Sequence, residues 1–194
     1  GYRGRSYRRE SLHGVDVFRC PLWVPGDPNG FNRLLHLLSF AVSSIPVMLR
    51  QIFWRPDSIF VIEPTFFCAP CALSTARLAN AKAWLHIQDF EVEAFFGLGF
   101  GSGGFTKKCV NAVEGWLMRR FDRVSSISPQ MVTRLSGFGI PEDRTTIFPN
   151  WVDTDRIRPG IRGRAFREEW GLGPDRKIVL YAGSMGKKQG LEVV

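Results

Sequence analysis

The sequence predicts an α/β protein in which a parallel sheet is flanked by helices, followed by the beginning of a second unit of the same kind. Short runs of β-branched and aromatic residues alternate with longer segments of helical periodicity, an order typical of parallel sheets. A polar stretch with proline and glycine, residues 150–160, separates one such alternation from the next. Ligands of such sheets bind beyond the carboxyl ends of the strands.

The elements follow from these patterns in chain order. Strands are expected at residues 15–20, 58–62, 83–88, 123–127, 145–148 and 177–181. Helices are expected at 32–53, 69–78, 106–120, 129–136 and 162–170, with one more beginning at Lys188. Such alternation implies right-handed crossovers between parallel strands.

The domain organisation follows from the polar stretch. Residues 1–149 are expected to form a first domain, 150–160 a linker, and 161–194 the start of a second domain. The chain opens in an Arg/Gly/Ser segment without methionine and stops inside a helix that has just begun, so we expect it to be incomplete at both ends. The 194 residues are 44% hydrophobic and carry no repeat or low-complexity tract, which favours a globular protein.

The charge balance favours an anionic partner. The formal net charge is +8, and Arg3, Arg5, Arg8 and Arg9 crowd at the start of the chain. No zinc-finger spacing or RNA-binding segment is present, so nucleic acid is not the expected partner. A membrane surface or a phosphorylated substrate fits better, and a solvated basic face without a partner is the alternative.

The predicted helix at residues 34–54 is unusually apolar and is bordered by Arg33, Arg50 and Arg55. A spanning helix needs about 20 nearly uninterrupted apolar residues, and His36 and Pro46 are among the residues that interrupt this one. Two interpretations remain. The helix either covers the sheet, or it also places an apolar side in a membrane interface with its arginines near anionic headgroups.

The four cysteines do not make a disulfide framework, and no signal peptide is recognisable, so a cytoplasmic location is expected. Cys68 and Cys71 have the spacing of a redox or half-zinc motif, but no second pair lies at ligand spacing. Buried, inert thiols are expected there, and no metal site is predicted.

Two glycine-rich segments differ in their context. Residues 99–104 form G-x-G-x-x-G, but they do not directly follow a strand as a dinucleotide fingerprint must. A glycine loop near the cleft is the preferred interpretation, and a nicotinamide-dependent oxidoreductase is a hypothesis that NADH fluorescence would test. The second segment follows the predicted strand 177–181 and precedes a helix. Its glycines, two lysines and helix start suit a diphosphate; its members are Gly183, Ser184, Gly186, Lys187, Lys188 and Gly190.

Acidic residues follow the predicted central strand. Asp89 and Glu91 come directly after residues 83–88, where α/β sheets bind ligands. A carboxylate there can accept a proton from a substrate hydroxyl or hydrogen-bond a sugar. The alternative is that Asp89 caps the next helix.

Four segments together resemble a known family. They are Leu85-His-Ile-Gln-Asp-Phe-Glu-Val-Glu93, Phe121-Asp-Arg-Val-Ser-Ser-Ile-Ser128, Ile147-Phe-Pro-Asn150-Trp-Val-Asp153 and Leu180-Tyr-Ala-Gly183-Ser-Met-Gly-Lys-Lys-Gln-Gly190. Their order and spacing resemble the retaining glycosyltransferases of family 4, within them the bacterial colanic acid and exopolysaccharide enzymes. The resemblance covers almost the whole chain.

The resemblance implies a GT-B enzyme, with two Rossmann-like domains, that transfers a sugar from a nucleotide diphosphate sugar to a lipid-pyrophosphate-linked glycan at the inner face of the plasma membrane. It implies that the Gly183 segment holds the donor diphosphate. It also implies that Gln88, Glu91 and Asn150 lie in the acceptor cleft and that Asp89 is catalytic. No cofactor or metal is expected, because basic side chains and helix ends stabilise the leaving diphosphate. The alternative function is a non-catalytic basic module that binds membrane or polysaccharide.

Overall fold

A computed structural model describes residues 6–26, 30–63, 66–90, 104–158, 163–173 and 175–183. The chain divides into two compact units, Gly1–Pro149 and Asn150–Val194. Each unit is described by itself.

The first unit is built on a four-stranded parallel sheet. Its strands are β3 (Ser58–Glu63), β4 (Lys82–Ile87), β5 (Arg123–Ser126) and β6 (Thr145–Ile147), in the order β3-β4-β5-β6. The helices between them are α2 (Ala69–Ala79), which follows a short 3-10 turn at Phe66–Cys68, α3 (Gly104–Met118) and α4 (Pro129–Ser136). A second 3-10 turn, Glu142–Arg144, leads into β6.

The two faces of the sheet differ in burial. Ile59, Val61 and Leu85 are buried in one core with residues of α2 such as Ala72 and Leu73. Side chains alternate between the faces of a strand, and on the opposite face Phe60 and Ile62 are 43% and 48% exposed. A sheet whose order advances one strand at a time through right-handed crossovers carries its helices on one face. This accounts for the asymmetry.

A hairpin precedes the sheet. β1 (Arg8–Leu12) pairs antiparallel with β2 (Val15–Arg19), and the two form a separate sheet. His13 and Gly14 make the turn with φ values of 51° and 83°, as a tight two-residue hairpin requires. The strand predicted at 15–20 therefore exists, but it does not belong to the parallel sheet, and β1 was not predicted.

A long helix, α1 (Gly30–Trp54), connects the hairpin to β3. It packs on α2 and on the first 3-10 turn, with Ala41 and Ser44 buried and Met48 against the core. The segment Phe31–Trp54 is long and apolar enough to cross a membrane by length and composition alone.

The second unit contains one described helix, α5 (Arg164–Glu169). The strand predicted at 177–181 is not observed: residues 175–183 are irregular and Val179 is 91% exposed. An apolar run becomes a parallel strand only when neighbouring strands pair with it, and the described part of this unit has no other strand. The helix predicted from Lys188 lies outside the described residues.

The other predicted strands and helices are observed, with ends that differ by at most two residues. The α/β class with a parallel sheet flanked by helices is therefore confirmed.

Candidate functional site

The carboxyl edge of the parallel sheet is the candidate site, because ligands of open α/β sheets bind there. β4 and β5 are its two inner strands. Gln88 and Asp89 directly follow β4, and Ser128 lies two residues beyond β5. Parallel strands end at the same side of a sheet, so these polar residues follow the ends of two neighbouring strands that are about 5 Å apart.

Asp89 lies between an exposed Gln88 and a buried Phe90. Phe90 is only 4% exposed and stacks on Phe138, with ring centroids 5.9 Å apart and planes at 7°. The guanidinium of Arg134 lies 4.4 Å from the centroid of Phe90. This anchor fixes the chain one residue after Asp89, so the half-buried carboxylate has a defined place at the edge of the sheet.

Serine side chains form hydrogen bonds at the same carboxyl edge of the sheet. The Ser126 hydroxyl donates a 2.6 Å hydrogen bond to the Ile87 carbonyl and so ties the end of β4 to β5. The Ser128 hydroxyl accepts from the Met131 N–H at 3.3 Å and caps α4, with Pro129 at the first helical position. The partial positive charge of a helix N-terminus therefore lies at the edge that carries Asp89.

A second polar group lies on the face of the sheet that is opposite the hydrophobic core. The Ser125 hydroxyl accepts a 2.8 Å hydrogen bond from the Trp84 indole and lies 2.9 Å from His86 Nδ1. Phe60 stacks on the His86 ring, and Phe148 packs edge-on against it. Burial lowers the pKa of His86 below its ordinary value, which favours the neutral imidazole.

Sequence reasoning missed these serines and the role of His86. The segment Phe121–Ser128 contains all three serines, but its sequence does not show which groups they contact. A hydroxyl gains its role from the strand beside it, and that strand is known only once β4 and β5 are paired.

The other predicted site residues are not part of the described carboxyl edge of the sheet. Asn150 is exposed and begins the second unit, and Gly183 is exposed near the end of the described chain. A Cβ atom added to Gly183 would lie 3.1 Å from the Tyr181 hydroxyl oxygen, so a side chain there would crowd that ring. The remaining predicted contacts lie outside the described residues: Glu91, Ser184, Gly186, Lys187, Lys188 and Gly190. The glycines at 99–103 lie outside them as well.

The cysteines are free thiols. Cys68 and Cys71 are half-buried where α2 begins, Cys20 is buried, and Cys109 is exposed. Burial raises the pKa of the Cys71 and Cys20 thiols. Within the described part of the chain, no group of three or more His, Cys, Asp or Glu side chains could hold a metal ion.

Comparison with known proteins gives the family. Residues 1–151 match the family described as "Glycosyl transferase 4-like domain". The chain is 40% identical over 198 residues to the "Putative colanic acid biosynthesis glycosyl transferase WcaI" of Escherichia coli (strain K12). The alignment covers 100% of this chain and 48% of that relative, so the chain spans about half of the relative's length. The parallel sheet and the extent of these matches show that the chain belongs to the glycosyl transferase 4-like family.

Proposed function

We propose that the intact protein transfers a sugar from a nucleotide diphosphate sugar to a lipid-linked or oligosaccharide acceptor in exopolysaccharide biosynthesis. The observation that carries this proposal is the family match over residues 1–151, a stretch that contains the whole described parallel sheet. The name of the Escherichia coli relative places that protein in colanic acid biosynthesis, which supports an exopolysaccharide product here.

The proposed reaction breaks one bond to the anomeric carbon and forms another. The bond from that carbon to the diphosphate oxygen breaks, and its electron pair leaves with the nucleoside diphosphate. A hydroxyl oxygen of the acceptor then bonds to the same carbon on the same face, which retains the anomeric configuration. The hydroxyl proton passes to a base, either the leaving diphosphate or a carboxylate.

Asp89 is the carboxylate proposed for this site. It follows an inner strand and precedes the buried Phe90, so packed structure supports the chain before and after it. In this proposal it accepts the acceptor proton or hydrogen-bonds the transferred sugar, while Gln88, Glu91 and Asn150 line the acceptor cleft. Amide and carboxylate groups suit these positions because sugars present many hydroxyl donors and acceptors.

The donor diphosphate is proposed to bind the segment from Gly183 to Gly190 in the second unit. Backbone N–H groups and the side chains of Lys187 and Lys188 would neutralise the phosphates, so the leaving group needs no metal ion. This assignment rests on the sequence pattern.

Transfer assays with the intact enzyme test the proposal. UDP- and GDP-sugars are supplied with a polyprenyl-pyrophosphate-linked acceptor, and released nucleoside diphosphate and glycosylated product are both measured. We expect equal amounts of the two and an unchanged anomeric configuration by NMR. The absence of transfer with every donor, or an inverted product, would contradict the proposal. The 194-residue chain alone is expected to be inactive.

A non-catalytic module that binds membrane or polysaccharide is the second candidate. It is favoured by the apolar residues exposed along α1 and by the arginines of the hairpin. The two candidates differ in nucleotide binding. A module would show no saturable binding of any nucleotide sugar in the intact protein, whereas the transferase would bind its donor.

A further inference from the structure

α1 presents a continuous apolar stripe that the described first unit leaves uncovered. Val42 is 57% exposed and Phe53 is 89% exposed. We name this surface the α1 stripe, and it consists of Phe31, Leu35, Leu38, Val42, Ile45, Leu49 and Phe53. Steps of three and four residues keep these side chains on one face of the helix over about 33 Å.

The α1 stripe is distinct from the face of α1 that packs on the protein. Ala41 and Ser44 are 5% and 8% exposed, and Met48 contacts the core. The buried face already gives the helix its place in the fold. The stripe therefore adds apolar surface that the packing within the described residues of this unit does not require.

A basic groove runs beside the stripe. It lies between the hairpin and α1, has a volume of about 410 Å³, and we name it the arginine groove. Four arginines line it, and the rest of its lining is apolar or aromatic: Arg8, Arg9, Arg19 and Arg50, with Tyr7, Phe18, Pro46 and Val47.

Two of the four arginines are balanced by acids, and two are not. Arg9 pairs with Asp16 at 2.9 Å, and Arg19 pairs with Glu10 across the hairpin. Among the described residues, no carboxylate forms an ion pair with Arg8 or Arg50. The groove therefore carries an excess of positive charge.

The hairpin is fixed to α1, so the groove has a defined shape. The Tyr7 hydroxyl donates a 2.7 Å hydrogen bond to the Ser43 carbonyl. The Trp23 N–H donates to the Ser39 hydroxyl at 2.9 Å, and the His36 ring bonds the Trp23 carbonyl. The backbone of Trp23 is thereby held against α1, and its side chain is half-exposed. Tryptophans are enriched at membrane interfaces.

The stripe and the groove occupy adjacent sides of the same helix. Each residue turns the helix by about 100°, so Arg50 lies a quarter turn or so from Leu49. When the stripe faces the acyl boundary of a bilayer, the groove lies at the level of the headgroups. An apolar face bordered by arginines is the pattern of helices that lie in the membrane plane.

We propose that α1 docks the protein flat on an anionic membrane, with the α1 stripe in the acyl boundary and the arginine groove around lipid phosphates. Charge complementarity selects this occupant over a second copy of the chain, which would bring the same net charge of +8 and the same groove. This inference deepens the proposed function, because docking on a membrane would bring the enzyme to a lipid-linked acceptor. The biological role of docking therefore rests on that proposed acceptor. Vesicle binding itself needs neither donor nor acceptor, so its failure and a failure of sugar transfer are separable.

Vesicle flotation of the 194-residue chain tests the proposal. One set of vesicles is phosphatidylcholine alone, and the other is equal parts phosphatidylcholine and phosphatidylglycerol. We expect the chain to float with the anionic vesicles and to be released as salt is raised. Equal binding to both sets would overturn the role of the arginine groove.

Paired variants locate the surface. The stripe variant combines Val42→Gln with Leu49→Gln, and its matched control combines Val113→Gln with Leu78→Gln, which are exposed on α3 and α2. We expect the stripe variant to lose roughly tenfold or more of its vesicle partition, because apolar burial drives interfacial binding. The control is expected to float like the unmodified chain.

The groove variant combines Arg8→Gln with Arg50→Gln, and its control combines Arg77→Gln with Arg164→Gln, two exposed arginines outside the groove. We expect the groove variant to lose roughly 10- to 30-fold in partition to anionic vesicles, about fivefold for each arginine near the surface. Unchanged flotation of both the stripe and groove variants would overturn the proposal. So would a stripe variant that alters only the oligomeric state measured by light scattering. Circular dichroism confirms that each variant is folded.

Discussion

The imidazole of His86 on β4 lies 2.9 Å from the hydroxyl of Ser125, its in-register neighbour on β5. The same hydroxyl accepts from the Trp84 indole, so its own hydrogen is available for the unprotonated Nδ1 of a neutral His86. His86 is 2% exposed and is enclosed by aromatic rings. A proton on this ring would place a charge in an apolar cluster.

His86 is therefore expected to make stability depend on pH. Its folded pKa lies below the unfolded value of about 6.5, so the unfolded chain binds a proton more readily. The free energy of unfolding should fall as the pH drops below about 6.5, by no more than about 1.4 kcal/mol per pH unit from this group. Urea unfolding between pH 7.5 and 5 measures how the free energy of unfolding changes with pH. In His86→Gln the part of this pH dependence that comes from His86 should disappear.

His13→Asn is the control, because His13 is exposed in the hairpin turn and Asn tolerates its φ of 51°. Its slope should match that of the unmodified chain. A His86→Gln slope equal to that of His13→Asn would show that His86 does not titrate on unfolding.

Asp122 joins the end of α3 to the start of β4. Its carboxylate accepts from the Ala83 N–H at 2.8 Å and lies 3.3 Å from Lys82 Nζ. The Ala83 hydrogen bond is the main cause that lowers the pKa of Asp122, with Lys82 adding to it. A carboxyl with a lowered folded pKa stabilises the protein above the unfolded value of about 4, and this stability is lost as the pH falls through the folded pKa.

Asp122→Asn is therefore expected to lower the free energy of unfolding by about 1 kcal/mol at pH 7, because a charged acceptor is lost from a partly exposed site. Urea unfolding measures the difference, which should shrink below about pH 4. Asp143→Asn, on the exposed turn before β6, should change stability little. An equal loss of unfolding free energy in both variants would show that the Asp122 hydrogen bond has no special role in stability.

Cys109 should be the first thiol to react with a maleimide, because it is exposed on α3. Cys20 and Cys71 should react more slowly, since burial restricts access and raises the pKa of both thiols. Mass spectrometry of the native chain over time measures the order of labelling. Cys109→Ser should remove the fastest event, and its persistence would show that another cysteine is more accessible.

The elements that the sequence predicted are those with local signals. Residues 58–62 form a compact apolar run, and α4 begins at a serine followed by proline. β1 carries the sequence Arg-Arg-Glu-Ser-Leu and is exposed throughout, so no periodicity marks it. The pairing of β1 with β2 places Arg9 opposite Phe18, and the Arg9 side chain reaches Asp16. These contacts exist only after the chain turns at Gly14.

The candidate site shows the same division. The position of Asp89 just beyond the end of β4 could be predicted because an acidic residue directly follows an apolar run. Its role in the site stays a prediction. Ser126 could not, because its bond to Ile87 depends on the register between β4 and β5. The strand prediction at 177–181 was wrong for a related reason. Apolar composition indicates a strand, but a strand forms only where a neighbouring strand pairs with it.

Asp89 offers the sharpest test of the site in the intact enzyme. Replacing it with Asn keeps its size and removes the charge and the proton acceptor, so we expect kcat to fall by roughly 10²- to 10⁴-fold with little change in KM. Asp57→Asn is the control, since Asp57 is exposed just before β3, at the opposite edge of the same sheet. Its kcat should stay unchanged. If Asp89→Asn retained full kcat, the base would have to be the leaving diphosphate or another carboxylate, and Asp89 would be left with a structural role beside Phe90.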